Sequence, residues 1–218
     1  MALEYVLFDL DGTLTDPALG ITNCVIYALG KFDIHPSARE ELYPYIGPPL
    51  VYSFAQFHGL SEEDAIQAVA YYRERFSVDG WRENSVFDGI HNMLGALQER
   101  GVKLMLATSK PEVFAIRILE YFDLMKYFTF AAGSTLDGQR PEKEDVIAYI
   151  QENYPNIRRE NTLMVGDRCY DVFGAHSRGL QAVGVLFGYG DREEMEQAKV
   201  DYIVENVPEL ERLLLLMI

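Results

Sequence analysis

The stretch Val6-Leu7-Phe8-Asp9-Leu10-Asp11-Gly12-Thr13-Leu14-Thr15-Asp16, "VLFDLDGTLTD", runs an apolar segment straight into two carboxylates one residue apart, then a glycine and a third carboxylate. Tyr5 to Phe8 carries no charge on either parity, the pattern of a strand buried on both faces. Asp9 and Asp11 follow where such a strand leaves its sheet, so both emerge at its carboxyl end, on a similar side because side chains alternate. Two acids that close repel each other, and a divalent cation would relieve the repulsion. Gly12 lets the chain turn sharply at close quarters. A lone pair of this kind also fits a turn cap at Asp11 beside a solvated Asp9, so the rest of the chain has to decide.

Further apolar runs of strand length lie at 102–107, 128–131, 163–165, 182–185 and, more weakly, 202–204. Amphipathic helical stretches at 89–100, 111–122, 142–153, 169–178, 192–198 and 208–216 separate or follow them. Doubly buried strands alternating with helices predict a doubly wound, Rossmann-like parallel α/β sheet, whose ligands bind beyond the carboxyl ends of the strands. From Pro17 to Trp81 only helical patterns occur, at 18–32, 37–43, 49–58 and 61–77. That block reads as an inserted all-helical cap subdomain, giving a core of residues 1–16 and 83–218 and a cap of 17–82. Both of its ends, "TDP" and "ENSVFDG", are rich in turn and cap residues beside the carboxyl edge, where a lid would sit.

Composition narrows the partners. The 218 residues are 49% hydrophobic and 24% charged, ordinary for a folded globular chain. A formal net charge of −15 argues against a broad basic face for a nucleic-acid polymer but leaves room for a small anion held by a few local cations or a metal. Cys24 and Cys169 form no CxxC pair and read as buried thiols. The N-terminus has acids where a signal peptide would be basic, and "LLLLMI" at 213–218 is far short of the roughly 20 residues a membrane helix needs, so a cytoplasmic chain with no membrane partner is expected.

Three other strand ends carry chemistry. "LMVGDRCYDV" ends a short strand at Val165, followed by Gly166, Asp167 and, one helical turn on, Asp171. Two carboxylate clusters at the ends of two parallel strands suggest a hard-metal site with oxygen ligands. In "MLATSKPE" the Thr108 hydroxyl and the Ser109 amide can bind a phosphate oxygen, although alone they fit a plain helix cap. "DGQRPEKEDVIAYI" puts Lys143 in the first turn of a helix, facing the positive end of the dipole, which calls for a ligand or carboxylate beside it.

With these residues in place the chain resembles the haloacid dehalogenase-like hydrolase superfamily along essentially its whole length. "DLDGTLTD" matches the first of that superfamily's four motifs, Thr108 the second, Lys143 the third and "GDRCYD" the fourth, and the helical insert resembles its C1-type cap. In the third motif Glu144 follows the lysine where phosphoglycolate phosphatases commonly have proline, and Arg140 is a nearby competitor. The resemblance implies a Mg²⁺-dependent phosphatase acting on small soluble phosphate monoesters through an aspartyl-phosphate. Asp9 would be the nucleophile and Asp11 the general acid and base. Asp9, the Asp11 backbone carbonyl and Asp167 would hold Mg²⁺. Thr108, Ser109 and Lys143 would stabilise the phosphoryl oxygens, and Asp171 would orient Lys143 or a metal-bound water.

The branch most resembled is that of phosphoglycolate phosphatases, with 5′-nucleotidases of nucleoside monophosphates as one alternative and sugar-phosphate phosphomutases as another. "YIGPPL" at 45–50 resembles the cap loop that faces the catalytic site in the first group, which makes Gly47 a candidate substrate contact. Arg73 in "YYRERF" could reach a substrate anion or lie on a solvated helix face. Asp16 before Pro17 reads as an N-cap followed by proline at the first helical position. The four histidines show no metal-ligand spacing, and "GYGD" at 188–191 reads as a turn near the crevice.

Overall fold

The structure, a computed structural model, describes residues 2–218. The described residues divide into two compact units, 2–15 with 86–218, and 16–85. In chain order the elements are β1 (Tyr5–Phe8), β2 (Thr15–Asp16), α1 (Ala18–Gly30), a 3₁₀ helix (Arg39–Tyr45), α2 (Leu50–His58), α3 (Glu62–Arg75), a π turn (Phe76–Gly80), β3 (Ser85–Val86) and α4 (Ile90–Glu99). There follow β4 (Lys103–Pro111), α5 (Glu112–Tyr121), a 3₁₀ turn (Met125–Tyr127), β5 (Phe128–Ser134), α6 (Lys143–Asn153), β6 (Thr162–Gly166) and α7 (Cys169–Ser177). The chain ends with β7 (Gln181–Val185), α8 (Arg192–Gln197), β8 (Tyr202–Val204) and α9 (Val207–Met217).

In the first unit six strands form one sheet in the order β5-β4-β1-β6-β7-β8. Every pairing in it is parallel, with Phe8 opposite both Leu106 and Val165. Tyr5, Leu7, Met105 and Met164 pack into one cluster with Val146, Ile147 and Ile150 of α6 and Val172 and Ala175 of α7. The alternate residues Val6, Phe8, Leu104 and Leu106 are equally buried, so neither face of the central strands meets solvent, which explains their unbroken apolar sequence. From β1 the chain winds outward through β4 and β5, then returns to β6 on the other side of β1. The crevice beyond the carboxyl ends of β1 and β6 is therefore the switch point where ligands bind in such sheets.

The second unit is helical. Its core includes Val25, Leu29, Leu42, Tyr45, Phe54, Val69 and Phe76. Rings meet edge to face at Tyr45–Phe54 (centroids 5.0 Å apart) and stack at Tyr72–Phe76 (5.5 Å). Arg75 binds both oxygens of Glu83 at 2.7 and 2.8 Å, and Asn23 reaches the same carboxylate at 3.1 Å.

Several boundaries differ from the sequence expectation. β4 runs on to Pro111 because Thr108 pairs with Gly133 and Pro111 with Ser134, so Thr108 and Ser109 sit within the strand's frayed end. The helix expected at 37–43 is a 3₁₀ segment containing Pro44, which cannot donate to an α ladder. The helix expected through 77 ends at Arg75 and loosens into the π turn. α1 starts at Ala18, with Pro17 at the cap position, yet Asp16 still accepts the Ala18 amide at 3.0 Å. Among the described residues no helix is long and apolar enough to cross a membrane.

Candidate active site

Side-chain parity decides which layer each acid faces. Asp9 shares the parity of Tyr5 and Leu7, whose side chains meet α6 and α7, so it is directed toward the starts of those helices. α6 begins at Lys143, and α7 carries Asp171 in its first turn. Lys143 Nζ lies 2.9 Å from Asp9 Oδ1 and 2.7 Å from Asp171 Oδ1. It also donates to the Ala107 carbonyl at 2.9 Å, where β4 runs beside β1. A cation in a first helical turn opposes the dipole, and the two carboxylates offset that cost. Burial pulls the Lys143 ammonium toward lower pKa, but Asp171 and Asp9 outweigh it and hold the group up at about 12.

Asp171 is fixed from its own helix: Oδ2 accepts the backbone amide of Arg168, the residue that caps α7, at 3.1 Å. Burial, opposed by Lys143, pushes its carboxyl up to about 6. Asp167 is fully buried, accepts the Tyr189 amide at 2.8 Å on Oδ2, and receives a long bond of 3.4 Å from the Thr13 hydroxyl on Oδ1. Burial, reinforced by the charges of Asp171 and Asp9, pushes the Asp167 carboxyl well above the usual carboxylate range. Gly12 turns the chain at φ 81°, and a Cβ there would overlap the Asp167 carboxylate. Glycine is needed at 12 for both reasons.

Asp11 is paired with Lys110 Nζ through Oδ2, while its Oδ1 is buried with no hydrogen-bond partner. Burial raises its carboxyl, and Lys110 opposes the shift. One strand over, Thr108 is buried, its hydroxyl accepting the Lys110 amide at 3.2 Å, and Ser109 is half-buried beside it. Arg140 faces elsewhere, pairing with Glu112 at 2.9 Å. Gly47, at φ 111° in the turn before α2, and the exposed Arg73 on α3 belong to the helical unit.

The site thus holds four aspartates against two lysines, a formal excess of two negative charges when every carboxyl is ionised, and that crowding is part of what raises the carboxyls of Asp167 and Asp171. Ligand oxygens of Asp9, Asp167 and Asp171 all lie within 4.8 Å of one another. Asp9 Oδ1 and Asp171 Oδ1 are buried and share the single ammonium of Lys143. Buried anionic oxygens in excess of their cations fit a hard divalent ion, which takes carboxylate and carbonyl oxygens.

Two participants escaped the sequence reading. Lys110 lies only two residues past Thr108, and its partnership with Asp11 spans 99 positions. Tyr189, inside the "GYGD" turn, reaches Asp167 through its backbone amide, which no side-chain pattern signals. Three of the histidines have side-chain partners, Tyr45–His58 at 2.7 Å, His91–Tyr127 at 3.3 Å and His176–Asp201 at 2.9 Å.

The family model described as haloacid dehalogenase-like hydrolase matches residues 6–185. A 5′-nucleotidase of Pseudomonas aeruginosa is 42% identical over 98% of this chain and 97% of its own length. The tyrosine-protein kinase PtkA of Mycobacterium tuberculosis is 38% identical over 92% of this chain and 68% of its own. A phosphoglycolate phosphatase of Pseudomonas aeruginosa is 28% identical over 94% of this chain and 77% of its own. The crystal structure of a "predicted phosphatase" from Clostridium acetobutylicum superposes with a TM-score of 0.94 at 47% identity, covering 99% of both chains. The chain belongs to the haloacid dehalogenase-like hydrolase family. Within it, the chain is a phosphoric monoester hydrolase.

Proposed function

We propose that the protein hydrolyses small soluble phosphate monoesters with the help of Mg²⁺, Asp9 being the nucleophile. The observation that carries this reading is the convergence of Asp9, Asp167 and Asp171 oxygens within 4.8 Å around a cluster anchored by Lys143. Asp9 attacks phosphorus, the P–O ester bond breaks, and Asp11 gives its proton to the leaving alkoxide. Asp11 then takes a proton from the water that attacks the aspartyl-phosphate, freeing Asp9 and inorganic phosphate. Lys143 neutralises charge on the phosphoryl oxygens, and the Thr108 hydroxyl and Ser109 amide hold another of them. Lys110, already on Asp11, keeps that carboxylate in place. Asp9, Asp167 and the Asp11 backbone carbonyl would hold Mg²⁺, which supplies charge neutralisation between an anionic nucleophile and an anionic ester.

Asp171 serves as the partner that orients Lys143, since its oxygens are directed to Lys143 and to the Arg168 amide. Two substrate classes follow from the relatives, 2-phosphoglycolate and nucleoside 5′-monophosphates. The higher identity and nearly complete coverage of the 5′-nucleotidase favour the nucleotides. We assign substrate selection to the helical unit, with Gly47 and Arg73 as candidates.

Phosphate release should be measured over phosphoglycolate, nucleoside monophosphates and sugar monophosphates, with Mg²⁺ and with excess chelator. Release from at least one class, stopped by chelator and abolished in Asp9→Asn without loss of fold, is expected. Full activity in chelator would remove the metal, and an active Asp9→Asn would remove the nucleophile. Isomerisation of a sugar phosphate faster than phosphate release would instead identify a phosphomutase.

A further inference from the structure

Lys143 is useful only if the start of α6 is held at a fixed distance from the end of β4, since its ammonium must touch Asp9 and the Ala107 carbonyl together. A second tie spans the same gap. Glu112, the first residue of α5, uses a single oxygen, Oε2, to accept the Gly133 amide of β5 at 3.2 Å and Arg140 Nη2 at 2.9 Å. Arg140 lies three residues before Lys143, and its guanidinium carbon is 4.0 Å from the centroid of the Tyr149 ring on α6. The carboxylate therefore joins the β4–α5 connection, β5, the loop that opens α6 and, through the stacked ring, α6 itself.

Two features set this pair apart from an incidental ion pair. β5 passes so close to the β4–α5 connection that a Cβ on Gly133 would come 2.6 Å from the Lys110 carbonyl and 2.8 Å from Glu112 N, so the connection is seated against the strand with no slack. Arg140 also keeps its other terminal nitrogen, Nη1, buried with no hydrogen-bond partner. A desolvated, unpaired N–H opposes folding, which is a poor choice if stability were the pair's sole role.

We propose that Glu112 and Arg140 form a positioning clamp that sets Lys143 and the Thr108–Lys110 segment at the spacing the chemistry requires. The proposal rests on the phosphatase reading, in which Lys143 and Thr108 act on the same phosphoryl group. Neither clamp residue touches substrate. Arginine is required at 140 because its planar fork can pair with Glu112 while its face lies on Tyr149, which an ammonium cannot reproduce.

The test uses the whole chain with Mg²⁺ and p-nitrophenyl phosphate, comparing wild type, Glu112→Gln, Arg140→Met, Arg140→Lys and the double variant Glu112→Gln/Arg140→Met. Rates are expressed per folded molecule, with the folded fraction taken from a thermal melt. The clamp predicts that kcat falls at least tenfold in Arg140→Met while KM changes less than threefold. It also predicts partial recovery in Arg140→Lys and a double variant no slower than Arg140→Met. Hydrogen exchange should quicken in peptides covering 135–146 and not in 162–185. The proposal is overturned if kcat per folded molecule stays within twofold of wild type, if KM rises in parallel with the loss, if the two losses multiply, or if exchange is unchanged at 135–146. Should Arg140→Met fail to fold, Glu112→Gln and Arg140→Lys carry the same two readouts. Failure of the phosphatase reading is seen separately, as a wild type that releases no phosphate or an Asp9→Asn variant that still does.

Discussion

Lys110 and Asp11 illustrate how a single contact links burial to chemistry. Both side chains are largely enclosed, and Asp11 has one oxygen on Lys110 and one without a hydrogen bond. Methionine at 110 would keep most of the stem's volume while deleting the charge. We expect Lys110→Met to lower kcat by about ten- to a hundredfold through loss of Asp11 alignment, with fold retained. Steady-state kinetics beside a circular dichroism spectrum check this, and a kcat equal to wild type would show that Asp11 needs no such partner. Asp9, Asp11, Asp167 and the Thr108 hydroxyl were legible in the sequence because each lies at or just beyond the end of an apolar run. Lys110 was not, since nothing local says which acid a lysine in a strand's frayed end will meet.

At the scale of elements, Asp201 ties together the far edge of the sheet. It accepts the His176 Nε2 proton and the Ala182 amide, each at 2.9 Å, and Gln181 Nε2 at 3.2 Å, joining α7, β7 and the approach to β8. Burial alone would raise its carboxyl, but His176, Ala182 and Gln181 outweigh burial and hold it below the usual range. A carboxyl depressed in the folded state contributes stability above its unfolded pKa near 4 and loses it as pH falls through the folded value. Asp201→Asn should therefore cost about 1 kcal/mol at pH 7, or roughly 2–4 °C in the melting midpoint, with the gap closing below about pH 4. Thermal melts across pH check it, and a gap that stays constant down to pH 3 would contradict the ionic origin. The strands and helices of this layer were legible from their periods, whereas the end of β4 was not. Its last pairings depend on β5, and Gly133 does not announce that it lies against Lys110 and Glu112.

For the whole molecule, the excess of buried negative charge predicts a trade between stability and function. Asp167→Asn removes one repelling charge from a fully buried position while keeping an oxygen for the Tyr189 amide. In chelator we expect this variant to melt above wild type, by about 2–4 °C for each kcal/mol of relief. Adding Mg²⁺ should raise the wild-type midpoint, by about 2.7 kcal/mol of binding linkage at a hundredfold excess over Kd, and leave the variant nearly unmoved. A wild-type midpoint insensitive to Mg²⁺ would count against the metal site.

The sequence by itself determined the parallel α/β core, the helical insert, and the carboxylates at the ends of β1 and β6, because hydrophobic periods and the residues bounding them are local properties of the chain. Only the tertiary structure decided that β6 lies beside β1, that Lys143 meets Asp9 and Asp171 while Arg140 turns to Glu112, and that Lys110 holds Asp11. Those are contacts between segments tens of residues apart, and they are set by strand order and layer packing, which no local pattern encodes.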